Sequence, residues 1–180
     1  MRSRNFSRPV AIALASVAYV VLPSVALAGE ARQEVTRSFE RAITVTGAPT
    51  LVVEHRMGDL RVRAHARNEL RIQATIHVSA DSQSDASVIA ERIHIDVQES
   101  PGSISVTTRY PDLAVRDGRR NESRRDVSFS VDYDLLVPER LPLTLRNRFG
   151  DVAVTGMKSG GSIANASGRV VASNVKAAAP

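Results

Sequence analysis

Arg56-Met57-Gly58-Asp59-Leu60-Arg61-Val62 is the stretch on which the reading of the fold turns, because its plan returns later. Arg148-Phe149-Gly150-Asp151-Val152-Ala153-Val154 repeats it: a hydrophobic residue, a Gly-Asp turn, then an apolar-x-apolar strand. A weaker third copy runs Ala166-Ser167-Gly168-Arg169-Val170-Val171-Ala172. Recurring glycine corners that each launch a short strand point to β-repeat architecture. Gly58, Asp59, Gly150, Asp151 and Gly168 are expected to be structural turns, with glycine supplying positive φ and Asp bonding its own turn backbone.

Outward from that stretch the alternation continues. Leu51, Val53 and His55 oppose Val52 and Glu54 before the first turn, and Leu60, Val62 and Ala64 oppose Arg61, Arg63 and His65 after it. Leu70, Ile72, Ala74, Ile76 and Val78 share one face of a nine-residue period-two run, which excludes a helix there. Phe39–Val45 predicts a first strand, and Ile93–Val97 with Ile104–Val106 predicts a hairpin around Pro101-Gly102. Val127 to Leu135 alternates strongly and ends at Val137-Pro138, since proline cannot extend a ladder. Leu141–Leu145 follows. From Gly150 onward short strands alternate with small-residue corners, as the coils of a β-solenoid would require. The one helical spacing lies near residues 84–92, through Ala86, Ile89 and Ala90.

The N-terminus is a processing segment. Arg2, Arg4 and Arg8 precede the apolar run Val10–Leu22, and Ala26-Leu27-Ala28 fits a small-x-small cleavage site. Residues 1–28 are therefore expected to be a signal peptide, 29–37 a flexible lead-in and 38–180 the β-strand-repeat domain. No second apolar run is long enough to span a membrane. Removing three arginines from the 24 basic residues leaves 21 against 19 acidic ones, a net charge of +2. With aromatics at 4% and no basic stripe among them, nucleic acid is not an expected partner. Zero cysteines exclude disulfides, thiol catalysis and thiolate metal sites.

Little in the chain resembles catalytic machinery. His55, His65 and His77 are expected on polar strand faces, with His94 between Ile93 and Ile95, and no spacing makes them metal ligands. Asp132 and Asp134 share a strand face with Asp126 further along it. Such acids could serve glycosidase chemistry or bind calcium, but alternation alone also produces them. No nucleophile elbow, phosphate loop or metal triad is present, so no catalytic residue, metal ligand or cofactor is assigned. Arg116, Arg119, Arg120, Arg124 and Arg125 lie within ten residues and form the candidate interaction loop, suited to an anionic polysaccharide, an envelope surface or an acidic protein.

Several of these features occur together in one known family. The Leu51-Val52-Val53 and Met57-Gly58-Asp59-Leu60-Arg61-Val62 opening comes first, then Val131-Asp132-Tyr133-Asp134-Leu135-Leu136-Val137-Pro138. Leu143-Thr144-Leu145 and Phe149-Gly150-Asp151-Val152-Ala153-Val154 follow. In that order they resemble the bacterial "putative adhesin" family, a domain of unknown function built of β-strand repeats and similar to auto-transporter adhesin heads. The resemblance implies an all-β, right-handed β-helix-like exported protein, non-enzymatic and adhesin-like, in the periplasm, at the cell surface or outside the cell. Members of the family often continue with further coils, so a last coil next to Pro180 is expected either to continue or to be covered. The alternatives are a periplasmic accessory protein that docks a partner through its terminal coil, and a carbohydrate-active β-helix enzyme.

Overall fold

The computed structural model describes residues 32–111 and 127–176. Within them the chain is mostly β, with one short helix. The strands are β1 (Gln33–Thr44), β2 (Thr50–Glu54), β3 (Leu60–His65), β4 (Glu69–Ala80), β5 (His94–Ser100) and β6 (Ser103–Arg109). They continue with β7 (Ser128–Pro138), β8 (Leu143–Phe149), β9 (Val152–Thr155), β10 (Gly161–Ser167) and β11 (Val170–Ser173), and α1 (Gln83–Arg92) lies between β4 and β5. β1 begins at Gln33, inside the stretch expected to be a lead-in, because Val35 and Phe39 are half-buried against the core. β8 runs Leu143–Phe149, later than the Leu141–Leu145 expected.

The strands form two mixed sheets, ordered β1-β4-β7-β3-β9-β11 and β10-β8-β2-β6-β5. β2 with β3, β8 with β9, and β10 with β11 each cross from the second sheet to the first through one of the glycine corners. Their pairings with each other are parallel in both sheets. The β8–β9 and β10–β11 units stack at a constant offset of 18 residues, Leu143 on Gly161 and Val152 on Val170. β1, β4 and β5 pair antiparallel instead.

Alternation places the core. Leu51, Val53, Leu60, Val62, Leu70, Ile72, Ile76, Val106, Leu135 and Leu145 are fully buried between the sheets. Because parallel register stacks like on like, Val53 lies between Val106 and Leu145, and Val62 between Leu135 and Val154. Truncating any of these to Ala would remove apolar contact and leave a cavity, at about 2–5 kcal/mol.

The two ends of the sandwich differ. At one end α1 packs across β1 and β4, burying Ala86, Ile89 and Ala90. Ser82 caps it, accepting the Asp85 amide at 3.1 Å. Arg37 of β1 donates to the Ile93 carbonyl, and Arg41 of β1 meets Glu99 of β5 at 3.0 Å, bridging the two sheets. At the other end β10 and β11 are the last strands of their sheets. Val170 and Val171 there are 46% and 48% exposed, although Val152, the register partner of Val170, is buried.

Candidate functional site

The corners are bound to one another. Gly58, Gly150 and Gly168 all have φ between +113° and +126°. A Cβ on Gly150 would sit 2.0 Å from the Gly58 carbonyl oxygen, and one on Gly58 would sit 2.1 Å from that of Val131. Glycine is required there both by the backbone conformation and by the closeness of the adjacent corner. The aspartates that follow Gly58 and Gly150 do something other than bond their own turns. Asp59 Oδ1 accepts the amide of Asp151 at 3.0 Å, and Asp151 Oδ1 accepts the amide of Arg169 at 2.8 Å. Asp132 Oδ1 accepts the amide of Asp59 at 2.9 Å. The carboxylates thus run as a ladder from corner to corner, because parallel stacking points each amide at the unit next to it, not back into its own turn.

Asp132 and Asp134 lie on the solvent face of the first sheet. Asp134 takes a bidentate pair from Arg63 at 2.8 and 2.9 Å, and Asp132 Oδ2 lies 3.5 Å from His77 Nε2. Their oxygens are thereby committed to different partners. Among the described residues no group of three or more acidic or histidine side chains converges as a metal site would require. Asp126 and the arginine segment Arg116, Arg119, Arg120, Arg124 and Arg125 lie outside the described residues.

The same solvent face holds a groove of about 640 Å³ between β1, β4, β7 and β3. Two rows of side chains cross it. Glu40, Gln73, Asp134 and Arg61 are successive register neighbours, and Ser38, Thr75 and Asp132 form the next row, with Asp59 beyond. Arg61 is exposed and has no ion-pair partner among the described residues.

His55 is not on a polar face. It is only 5% exposed and lies in the core beside Thr108 and Asn147, which are also buried. Its Nδ1 is 3.2 Å from Thr108 Oγ1, which in turn is 2.7 Å from the Tyr133 hydroxyl. The Tyr110 hydroxyl lies 3.3 Å from His55 Nδ1 and donates to the Met57 carbonyl at the same distance. Burial lowers the His55 pKa from 6.5 to about 4, and it pushes the Tyr133 and Tyr110 phenols above the usual tyrosine range. His55 Nε2, Asn147 Oδ1 and Asn165 Oδ1 are buried without a protein partner. The sequence carried one signal of this: His55 continues the inward alternation of Leu51 and Val53.

The network joins β2, β6 and β7 around the inner corner through His55, Thr108, Tyr133 and Tyr110.

The chain matches no family model and no curated protein. Among solved structures it is similar to a "putative cell adhesion protein" from Clostridium sporogenes, at 11% identity and a TM-score of 0.41 over 74% of this chain and 58% of that one. It is also similar to a "putative adhesin" from Bacteroides fragilis, at 9% identity and a TM-score of 0.35 over 78% of this chain and 58% of that one. A "putative lipid binding protein" from Parabacteroides distasonis matches at 11% identity and a TM-score of 0.31, over 78% of this chain and 59% of that one. The chain thus spans less than two thirds of the length of these structures, and likenesses this distant carry no functional argument.

Proposed function

We propose that the protein is an exported, non-enzymatic, adhesin-like module of the cell envelope. In this reading its glycine-cornered units stack as a β-solenoid, and it binds by adding strands at the β10 and β11 edges, which have no further neighbour among the described residues. The observation that carries the reading is the contrast between its two ends. α1 and the Arg41–Glu99 pair close one of them. β10 and β11 leave the other with two strand edges and the exposed Val170 and Val171. Paired edges of that kind present main-chain donors and acceptors together with apolar surface, the combination used in β-augmentation.

Beside the edge lies an apolar pocket of about 150 Å³ lined by Leu143, Val154, Met157, Ile163 and Val175, of a size to take one side chain from an added strand. Export rests on the signal-peptide pattern of residues 1–28. Against catalysis stands the commitment of Asp132 and Asp134 to separate partners.

The test is saturable binding of the labelled, processed protein to isolated cell envelopes. Val170→Lys with Val171→Lys should weaken binding about tenfold or more while leaving the melting temperature within a few degrees, since both side chains are half exposed. Unchanged binding by the double variant would remove the open-end reading. Release of reducing ends from a polysaccharide panel would replace it with an enzyme.

A further inference from the structure

We propose that the groove on the solvent face of the first sheet is a second binding site, distinct from the open end, and that it takes a segment of neutral oligosaccharide. The groove is concave, about 640 Å³, and built on four hydrogen-bonded strands, so its lining is held rigid without a ligand.

Its chemistry narrows the ligand. One row presents the carboxylate of Glu40, the amide of Gln73 and the guanidinium of Arg61; the next presents the Ser38 and Thr75 hydroxyls, while Asp132 and Asp59 beyond them already accept backbone amides through Oδ1. These groups stand on neighbouring strands about 4.8 Å apart, the scale of one sugar ring, with an acceptor on β1 and the Arg61 donor on β3 at the two ends of the first row. Amide, carboxylate and guanidinium groups each offer two parallel sites, which match adjacent hydroxyl pairs.

Arg61 supplies up to five donors with no ion-pair partner among the described residues, and Gln73 is held only loosely, its Nε2 3.4 Å from Glu40 Oε1. Both are free to turn toward a ligand. Asp134 is already neutralised by Arg63, which keeps the row beside Arg61 from acting as an acidic trap.

Other ligand classes fit worse. Glu40, Asp59, Asp132 and Asp134 outnumber Arg61 and Arg63, which disfavours a phosphate or a sulfated polymer. The guanidinium of Arg61 at the β3 end of the row, without an ion-pair partner among the described residues, disfavours a cationic peptide. The polar lining disfavours a lipid chain, and the carboxylates do not converge on a metal position.

The experiment is titration of the processed protein, followed by amide chemical shifts. The probes are hexasaccharides of glucose, mannose, galactose and N-acetylglucosamine, with a heparin hexasaccharide and hexalysine as the charged comparisons. At least one neutral hexasaccharide should produce saturable shifts confined to β1, β3, β4 and β7. Arg61→Ala and Gln73→Ala, both solvent-exposed, should each weaken it about tenfold or more without changing the melting temperature, and Arg61→Lys should recover part of the loss. Val170→Lys should leave it unaltered, which separates this site from the open end. Preference for heparin or hexalysine, neutral binding that survives both substitutions, or no binding by any neutral probe would each overturn the assignment.

Discussion

Asp59 and Asp151 are 92 residues apart, yet the Oδ1 atom of the first accepts the backbone amide of the second at 3.0 Å. The contact joins β2–β3 to β8–β9, two units that the chain separates by β4, α1, β5, β6 and β7. It shows that the Gly-Asp corner is a device for register. Glycine lets adjacent corners approach, and the carboxylate then bonds the amide that the approach delivers.

Removing the acceptor should therefore cost more than removing the charge. Asp59→Ala leaves the Asp151 amide without its bond, and the expected loss is about 1–2 kcal/mol in urea unfolding. Asp59→Asn keeps an oxygen in the same place and should lose about half as much. Equal losses for the two variants would mean that charge, not geometry, is what the corner uses.

The glycines admit a sharper comparison. At Gly150 a Cβ would lie 2.0 Å from the Gly58 carbonyl, whereas at Gly47, also at positive φ, it would meet nothing within 4 Å. Gly150→Ala therefore combines left-handed strain with a backbone clash, and Gly47→Ala carries strain alone. The expected losses are about 3 kcal/mol or more for Gly150→Ala and about 1 for Gly47→Ala. Comparable melting temperatures for the two variants would show that the corners are free to move apart.

Which face each strand buries was written in the chain. The Leu70–Val78 alternation became β4, with every second residue buried, and Gly58 and Gly150 lie where a Cβ would meet the backbone of the neighbouring strand or corner. Neighbour choice was not written there. Period-two patterning says which side of a sheet a residue faces but is silent on which strand lies alongside. Nothing local announces that β8–β9 stacks on β2–β3, which lies between it and β6–β7. Of the right-handed β-helix that the family resemblance implies, the structure shows the all-β composition and parallel stacking of neighbouring units, but in two mixed sheets in which β1, β4 and β5 pair antiparallel.

The candidate site was hidden for the same reason. Arg61, Gln73 and Asp132 are ordinary outward residues on three separate strands until pairing brings β3, β4 and β7 together. His55 was misplaced because its type outweighed its position. A histidine suggests solvent, but the alternation of Leu51 and Val53 carries it inward.

Export predicts a mass. If residues 1–28 are a signal peptide, the protein recovered from the envelope or medium should begin at Gly29 and lack them. Intact mass spectrometry decides this directly, and retention of the full chain would make the segment an uncleaved anchor.

The buried histidine fixes how the protein responds to acid. His55 has a folded pKa of about 4, against 6.5 in an unfolded chain. Below pH 6.5 the unfolded state takes up a proton that the folded state refuses, so stability is highest above 6.5 and falls as the pH drops toward 4. Below about 4 both states are protonated and the loss from this group is complete, at about 3 kcal/mol. The refusal has a structural cause: His55 is buried against Tyr133, 5.0 Å away in an edge-to-face contact, and the cost of desolvating a charged ring there outweighs the help of the Val131 and Met57 backbone and of Asp132. Urea midpoints from pH 7.5 to 4 should fall through this window, and the His55 ring resonances should titrate near 4. A ring that titrates near 6.5 in the folded protein would show that the inner corner is open to water, and the acid sensitivity would then have to come from the carboxylates.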